Sequence, residues 1–256
     1  MVAADPAIGT LPSTTVLAEL RKRAPLIAAV VAFFVIGYYT LGLHTDPARA
    51  HTLRTRLDDA IPFVAWTIFG YAWSYTFALL PVFVVRSHEL FRRTVYAYLA
   101  AMAFAFACFA IYPVTSVGFR PDLATLEDGG LITWAAHFNF SADPPYNLFP
   151  SLHLATATIT AYSVWKARRL FGVFAFAIAA VIAISICTCK QHFIADGVAG
   201  LVLAGVLSAW LLRPYRTELV PMAERAYCWR GFAGYLAFHA TFYLAFGIAF
   251  LLRTRA

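Results

Sequence analysis

The sequence predicts an all-α, polytopic transmembrane helical bundle, and three observations predict it. Hydrophobic residues make up 61% of the 256 and charged residues only 13%, against about a quarter charged in ordinary globular domains. That leaves too little polar surface to cover a soluble globule, and it excludes disorder, a collagen-like chain and a disulfide scaffold. Mean hydropathy is +0.70. Apolar runs close to the length of about 20 residues that crosses hydrocarbon as a helix recur along the chain. Runs such as APLIAAVVAFFVIGYYTLGL lack the period of two that a membrane strand needs, so helices are the expected solution.

Seven runs qualify, over 24–43, 60–85, 94–113, 151–165, 170–188, 195–212 and 231–252. The first follows Arg21, Lys22 and Arg23. It is too long for a signal-peptide core and lacks a small-residue cleavage site after it, so it stays as an anchor behind a cytoplasmic tail of residues 1–23. The fourth is short enough that its helix must extend into its flanks, and the seventh can lie peripherally without moving anything upstream. With the N-terminus inside, Lys and Arg segregate 13 to 7 in favour of the inner face, as the positive-inside rule requires. The net charge of +7 is therefore read as loop arginine, and nucleic acid is not an expected partner. Cys108, Cys187, Cys189 and Cys228 lie mostly in or beside apolar segments and form no disulfide or zinc pattern.

Polar residues at the ends of apolar helices carry the functional signal, because placing them near hydrocarbon costs energy unless they have partners. In NLFPSLHLATATITAYSVW, residues 147–165, Pro150 suits a first helical turn that holds Ser151 and His153, and free amides there would favour an anion. In SICTCKQHFIADGVAGLVLAGVL, residues 185–207, His192 and Asp196 are four apart and share a helix face, with Lys190 just before them. Both segments fall on the outer side, beside the long connection 114–150 that carries Arg120. Each element alone reads as a cap or a helix anchor. Two histidines, a carboxylate and two cations converging in a charge-poor chain point to chemistry. A metal site of His153, His192 and Asp196 is the minority reading, since there is no HExxH and no second carboxylate cluster. His137, Asn139, Asp143 and Asn147 lie in the outer connection and carry no assignment.

These residues resemble the type 2 phosphatidic acid phosphatase superfamily, whose motifs run KxxxxxxRP, PSGH and SRxxxxxHxxxD. The chain offers FRP at 119–121, PSLH at 150–153 and HFIAD at 192–196, in that order. The resemblance covers about residues 60–212, and PSLH followed by QHFIADGVAG looks closest to the inositol phosphorylceramide synthase-like inositolphosphotransferase branch. It implies a six-helix phosphatase-type core within about seven spans, in a single catalytic domain over 24–256.

Carried over by residue, the resemblance makes His192 a nucleophile that becomes a phosphohistidine, with Asp196 holding its ring. His153 is the acid and then the base, and Arg120, Ser151 and Lys190 hold phosphate oxygens. No cofactor or metal is expected. The substrates implied are a lipid phosphate ester and an alcohol or water acceptor, at a periplasmic, extracellular or lumenal face. The first motif's lysine position holds Pro113, and the third motif's arginine position holds Ile186. Two missing cations favour a singly charged phosphodiester, hence head-group transfer, over a phosphate monoester. A lipid phosphate monoesterase is the alternative within the class, and an anion-binding or lipid-binding transporter is the alternative outside it.

Overall fold

The computed structural model describes residues 13–123, 130–219 and 229–253, and every regular element among them is helical. In order these are α1 (Ser13–His44), α2 (Arg56–Ala60), α3 (Ile68–Ala72), α4 (Ser74–Phe77), α5 (Leu80–Val84), α6 (His88–Ile111), α7 (Leu131–Ala142), α8 (Leu152–Ala167), α9 (Arg169–Thr188), α10 (Ile194–Leu207) and α11 (Trp229–Arg253). A π turn over Ser208–Leu212 continues α10. Among the described residues five stretches are long and apolar enough to cross a membrane: Arg21–His44, His88–Ile111, Arg169–Thr188, Ile194–Leu219 and Arg230–Arg253. The protein is thus a multi-pass integral membrane protein.

Two of the seven expected spans take another form. The run over 60–85 winds as the short helices α3, α4 and α5. Pro81 lies at the start of α5 and has no N–H to return to the turn before it, which interrupts the ladder there. The run over 151–165 becomes α8, only 16 residues long. Its brevity follows from its surroundings. Leu152 and Ile159 pack into one core cluster with α1, α6 and α10, while Leu154, Ala157, Ala161 and Val164 pack into a second with α3, α4, α5 and α9. A helix buried on both sides is solvated by protein, so it need not match a bilayer. Its polar side chains are accordingly paired, Thr160 with the Tyr98 hydroxyl at 2.6 Å and Ser163 with Thr94 at 2.6 Å. Such bonds contribute roughly 0.6 kcal/mol each between membrane helices. The long connection 114–150 contains the 12-residue helix α7.

The outer helices show what solvates them. Val31, Val35, Ile36 and Leu43 on α1 and Leu244, Ile248, Leu251 and Leu252 on α11 are exposed, a surface tolerable only against lipid. The two ends of the bundle separate cleanly. At one end Arg23 donates to the carbonyls of Val85 and Arg86, Arg93 to Leu211, and Lys166 to Arg213. At the other, backbone bridges join His51 to Val114 and Val114 to Asn147. The groups of basic residues assigned to a common side by charge therefore meet in space.

Helices α8 and α10 start at the same place. The Ser151 N–H donates to the Asp196 carbonyl at 3.0 Å, and a Cβ on Gly200 would lie 2.5 Å from the Ser151 carbonyl oxygen. Only glycine permits this approach. Gly200→Ala is expected to push the two helix starts apart, costing about 1–3 kcal/mol and lowering turnover about 100-fold through misplacement of the residues they carry. A variant with wild-type melting and turnover would refute that coupling.

Candidate active site

Ser151 caps α8, its Oγ accepting the Leu154 N–H at 3.4 Å. Pro150 thus precedes the cap instead of occupying the first turn, and His153 becomes the second helical residue, aimed out of the helix start. His192 of the third motif lies in the loop after α9, where the amides of Gln191 and His192 both donate to the Ile186 carbonyl at 3.0 Å. Asp196 sits in the first turn of α10, and its Oδ2 accepts the Phe193 N–H at 2.9 Å. These two frames bring His153 Nδ1 to 3.2 Å from His192 Nε2. Behind His192, Asp196 Oδ2 lies 3.4 Å from Nδ1. His192 is 3% exposed and Asp196 fully buried, so the carboxylate faces Nδ1 at ion-pair distance without hydrogen-bond geometry, and favours a proton on Nδ1 over one on Nε2.

Arg120 arrives on a turn in which the amides of Phe119 and Arg120 donate to the Ser116 carbonyl, with Gly118 at φ +76° supplying the left-handed step. Its guanidinium donates to the Phe140 carbonyl at 3.0 Å, the Asp143 carbonyl at 3.1 Å and Gln191 Oε1 at 2.6 Å. Among the described residues its buried Nε has no partner. Burial lowers its pKa from the ordinary arginine value, opposed by Tyr71, Asp143, Tyr38 and Tyr75. Gln191 also donates to Asn139, so Arg120 is tied to the residue beside His192.

Lys190 and Ser151, expected to hold phosphate oxygens, bond to protein groups in this structure. Lys190 adopts φ +56°, and its Nζ donates to the Asp58 carbonyl at 2.7 Å and the Ile61 carbonyl at 2.5 Å, above the Phe119 ring. The side chain fastens the His192 loop to α2, while Asp58 Oδ1 accepts the Ile194 N–H at the start of α10. Wholly buried Ser151 serves as a cap. The two positions where family cations are missing are also accounted for. Ile186 is packed in the second core cluster, and the Pro113 carbonyl accepts the His51 N–H.

The site holds more than the three motifs. Asp143, 5% exposed, accepts hydroxyl protons from Tyr71 at 2.8 Å, Tyr75 at 2.7 Å and Tyr38 at 3.2 Å. Asn139 Nδ2 reaches the Tyr75 oxygen at 2.6 Å. The Tyr71 hydroxyl also lies 3.0 Å from His153 Nε2. Asn147 joins through its amide, which donates to the Tyr38 carbonyl at 2.7 Å, whereas His137 is exposed. The signal for these residues was spacing: Tyr71 and Tyr75, and Asn139 and Asp143, are each four apart in apolar surroundings. Among the described residues no group of three or more His, Cys, Asp or Glu is arranged to hold a metal ion.

A family model described as the PAP2 superfamily matches residues 20–210, a stretch that contains all the residues of this site and stops short of α11. No curated protein and no solved structure matches the chain.

Proposed function

This chain belongs to the PAP2 superfamily, and from that premise we propose that it moves a phospho-head group from a lipid phosphodiester to an alcohol, through a phosphohistidine. Membership and the apolar helices support an activity of the lipid phosphatase or phosphotransferase type on a membrane substrate. The observation that carries the finer reading is the file of Asp196, His192 and His153, with contacts of 3.4 and 3.2 Å.

His192 Nε2 attacks phosphorus, the bond to the departing alcohol breaks, and a proton from His153 Nδ1 goes to that oxygen. The acceptor hydroxyl then attacks the phosphohistidine, its proton returns to His153 Nδ1, and the P–N bond breaks. One group thus serves as acid and then base. Arg120 holds the non-bridging oxygens through its spare Nε, aided by the first-turn amides of α8. A single guanidinium suits the single negative charge of a diester, and with Pro113 and Ile186 at the other two positions a dianionic monoester lacks counter-charge. The histidine pair and Arg120 supply each step without a metal. Within one membrane domain, an N-terminus in the cytoplasm puts the site at the outer or lumenal face. The inositolphosphotransferase-like branch is the relationship we favour.

The test is turnover by the detergent-purified chain, with chelator present, of lipid phosphomonoesters and phosphodiesters with and without a ceramide or diacylglycerol acceptor. Acceptor-dependent transfer from diesters is the expected result. Faster, acceptor-independent phosphate release from monoesters would replace transfer with a phosphatase. Saturable binding with no product would replace both with an anion-binding protein.

A further inference from the structure

The buried carboxylate of Asp143 lies outside the three motifs, and its environment biases where the protons of the site sit. Tyr71 has one hydroxyl proton, and Asp143 Oδ2, 2.8 Å away, takes it, since an ionised carboxylate only accepts. The Tyr71 oxygen therefore presents a lone pair to the His153 ring, 3.0 Å from Nε2 and 3.4 Å from Nδ1, and the shorter contact favours the proton on Nε2. His153 Nδ1 is left as the atom that faces His192 Nε2 at 3.2 Å. Tyr75 and Asn139 also donate to Asp143 Oδ2, Asn139 Nδ2 from 3.4 Å, and Tyr38 donates to Oδ1. Burial pushes the His153 pKa down to about 4, and Asp143 Oδ1, 3.9 Å from Nε2, opposes that shift by favouring positive charge on the ring.

We propose that Asp143, acting through the Tyr71 hydroxyl, is a positioning residue that keeps one His153 proton on Nε2 and leaves Nδ1 to give and take the catalytic proton. Asp143 neither gains nor loses a proton in the cycle. In the first half His153 carries both ring protons, releases the Nδ1 proton to the leaving oxygen, and remains neutral with Nε2–H on Tyr71. In the second half Nδ1 takes the acceptor's proton. The assignment rests on the reading of His153 as the acid and base. The charged and titratable groups around the ring and its carboxylate are Tyr38 on α1, Tyr71 and Tyr75 on α3 and α4, Arg120, Asp143 after α7, and His192 with Asp196 behind it.

The experiment is 15N NMR of the full chain labelled at histidine and purified in detergent micelles. His153 is assigned by its absence in His153→Gln, and spectra are taken at a pH that leaves the ring neutral. In the wild type the expected signature is a single tautomer protonated at Nε2. Tyr71→Phe, which deletes one oxygen and keeps the ring, and Asp143→Asn are each expected to lose that preference. Both should lower kcat about tenfold or more with little change in KM, as a misplaced imidazole proton does. Tyr75→Phe takes a hydroxyl from the same carboxylate without touching His153 and should keep the tautomer. A His153 signature unchanged in both Tyr71→Phe and Asp143→Asn overturns the proposal, whatever happens to turnover. Equal scrambling by Tyr75→Phe overturns Tyr71 as the route. If the tautomer changes as expected while no lipid of the panel is turned over, the positioning role stands and the transfer chemistry falls.

Discussion

Replacing His192 with alanine is expected to remove turnover by about 10³-fold or more, the largest effect of any single substitution in this protein. The ring is 3% exposed, its Nε2 faces the acid and its Nδ1 faces a carboxylate with no exposed surface. No neighbouring group can take its place as nucleophile: Lys190 is engaged by backbone carbonyls, and His153 is held on its far side by Tyr71. With a lipid carrying 32P in the transferred head group, the wild type should yield a labelled protein whose phosphate is lost in acid and kept in base. The alanine variant should yield none while melting at the wild-type temperature. Labelled, active His192→Ala would end the phosphohistidine reading.

Substitution at His153 should produce a different kind of loss. In His153→Gln the attack by His192 remains possible, but an alkyl leaving group departs without its proton, costing about 10²–10⁴-fold. An aryl phosphodiester releases a stable anion and needs no acid, so its first step should proceed at a rate much closer to wild type. The second step still needs a base to take the acceptor's proton. The variant should therefore release one aryl group per protein in a burst and then stall as phosphoenzyme. Equal losses on alkyl and aryl esters, with no burst, would remove His153 from its role as proton donor.

The parts of the site that could be read from the chain are those fixed by helix geometry. His192 and Asp196 share a face because α10 makes them share it, and Ser151 with His153 lies at a helix start because a proline and a serine precede an apolar run. Loop residues were harder, since no period governs them. Lys190 sits two positions from His192, yet its left-handed backbone turns the side chain to Asp58 and Ile61. Gln191, beside it, is the residue that engages Arg120. For the Asp143 cluster, spacing singles out Tyr71 with Tyr75 and Asn139 with Asp143, but only packing says that α1, α3, α4 and α7 meet. The same limit applies to the spans. Apolar length predicted α6, α9 and α11 well, but could not tell that α8 is short because protein surrounds it.

Helix α1 has two attachments with a further meaning. Arg23 is bonded to carbonyls at the end of α5, and Tyr38 is bonded to Asp143 and Asn147, so about 22 Å of helix axis is fixed between them. A spanning helix held at one point can tilt to match the bilayer, but one held at two is a brace of set span. Hydrophobic mismatch beside α1 is then met by the acyl chains, which stretch or compress against the protein. Membrane thickness is in this way kept from reaching Tyr38, and with it the carboxylate that orients His153.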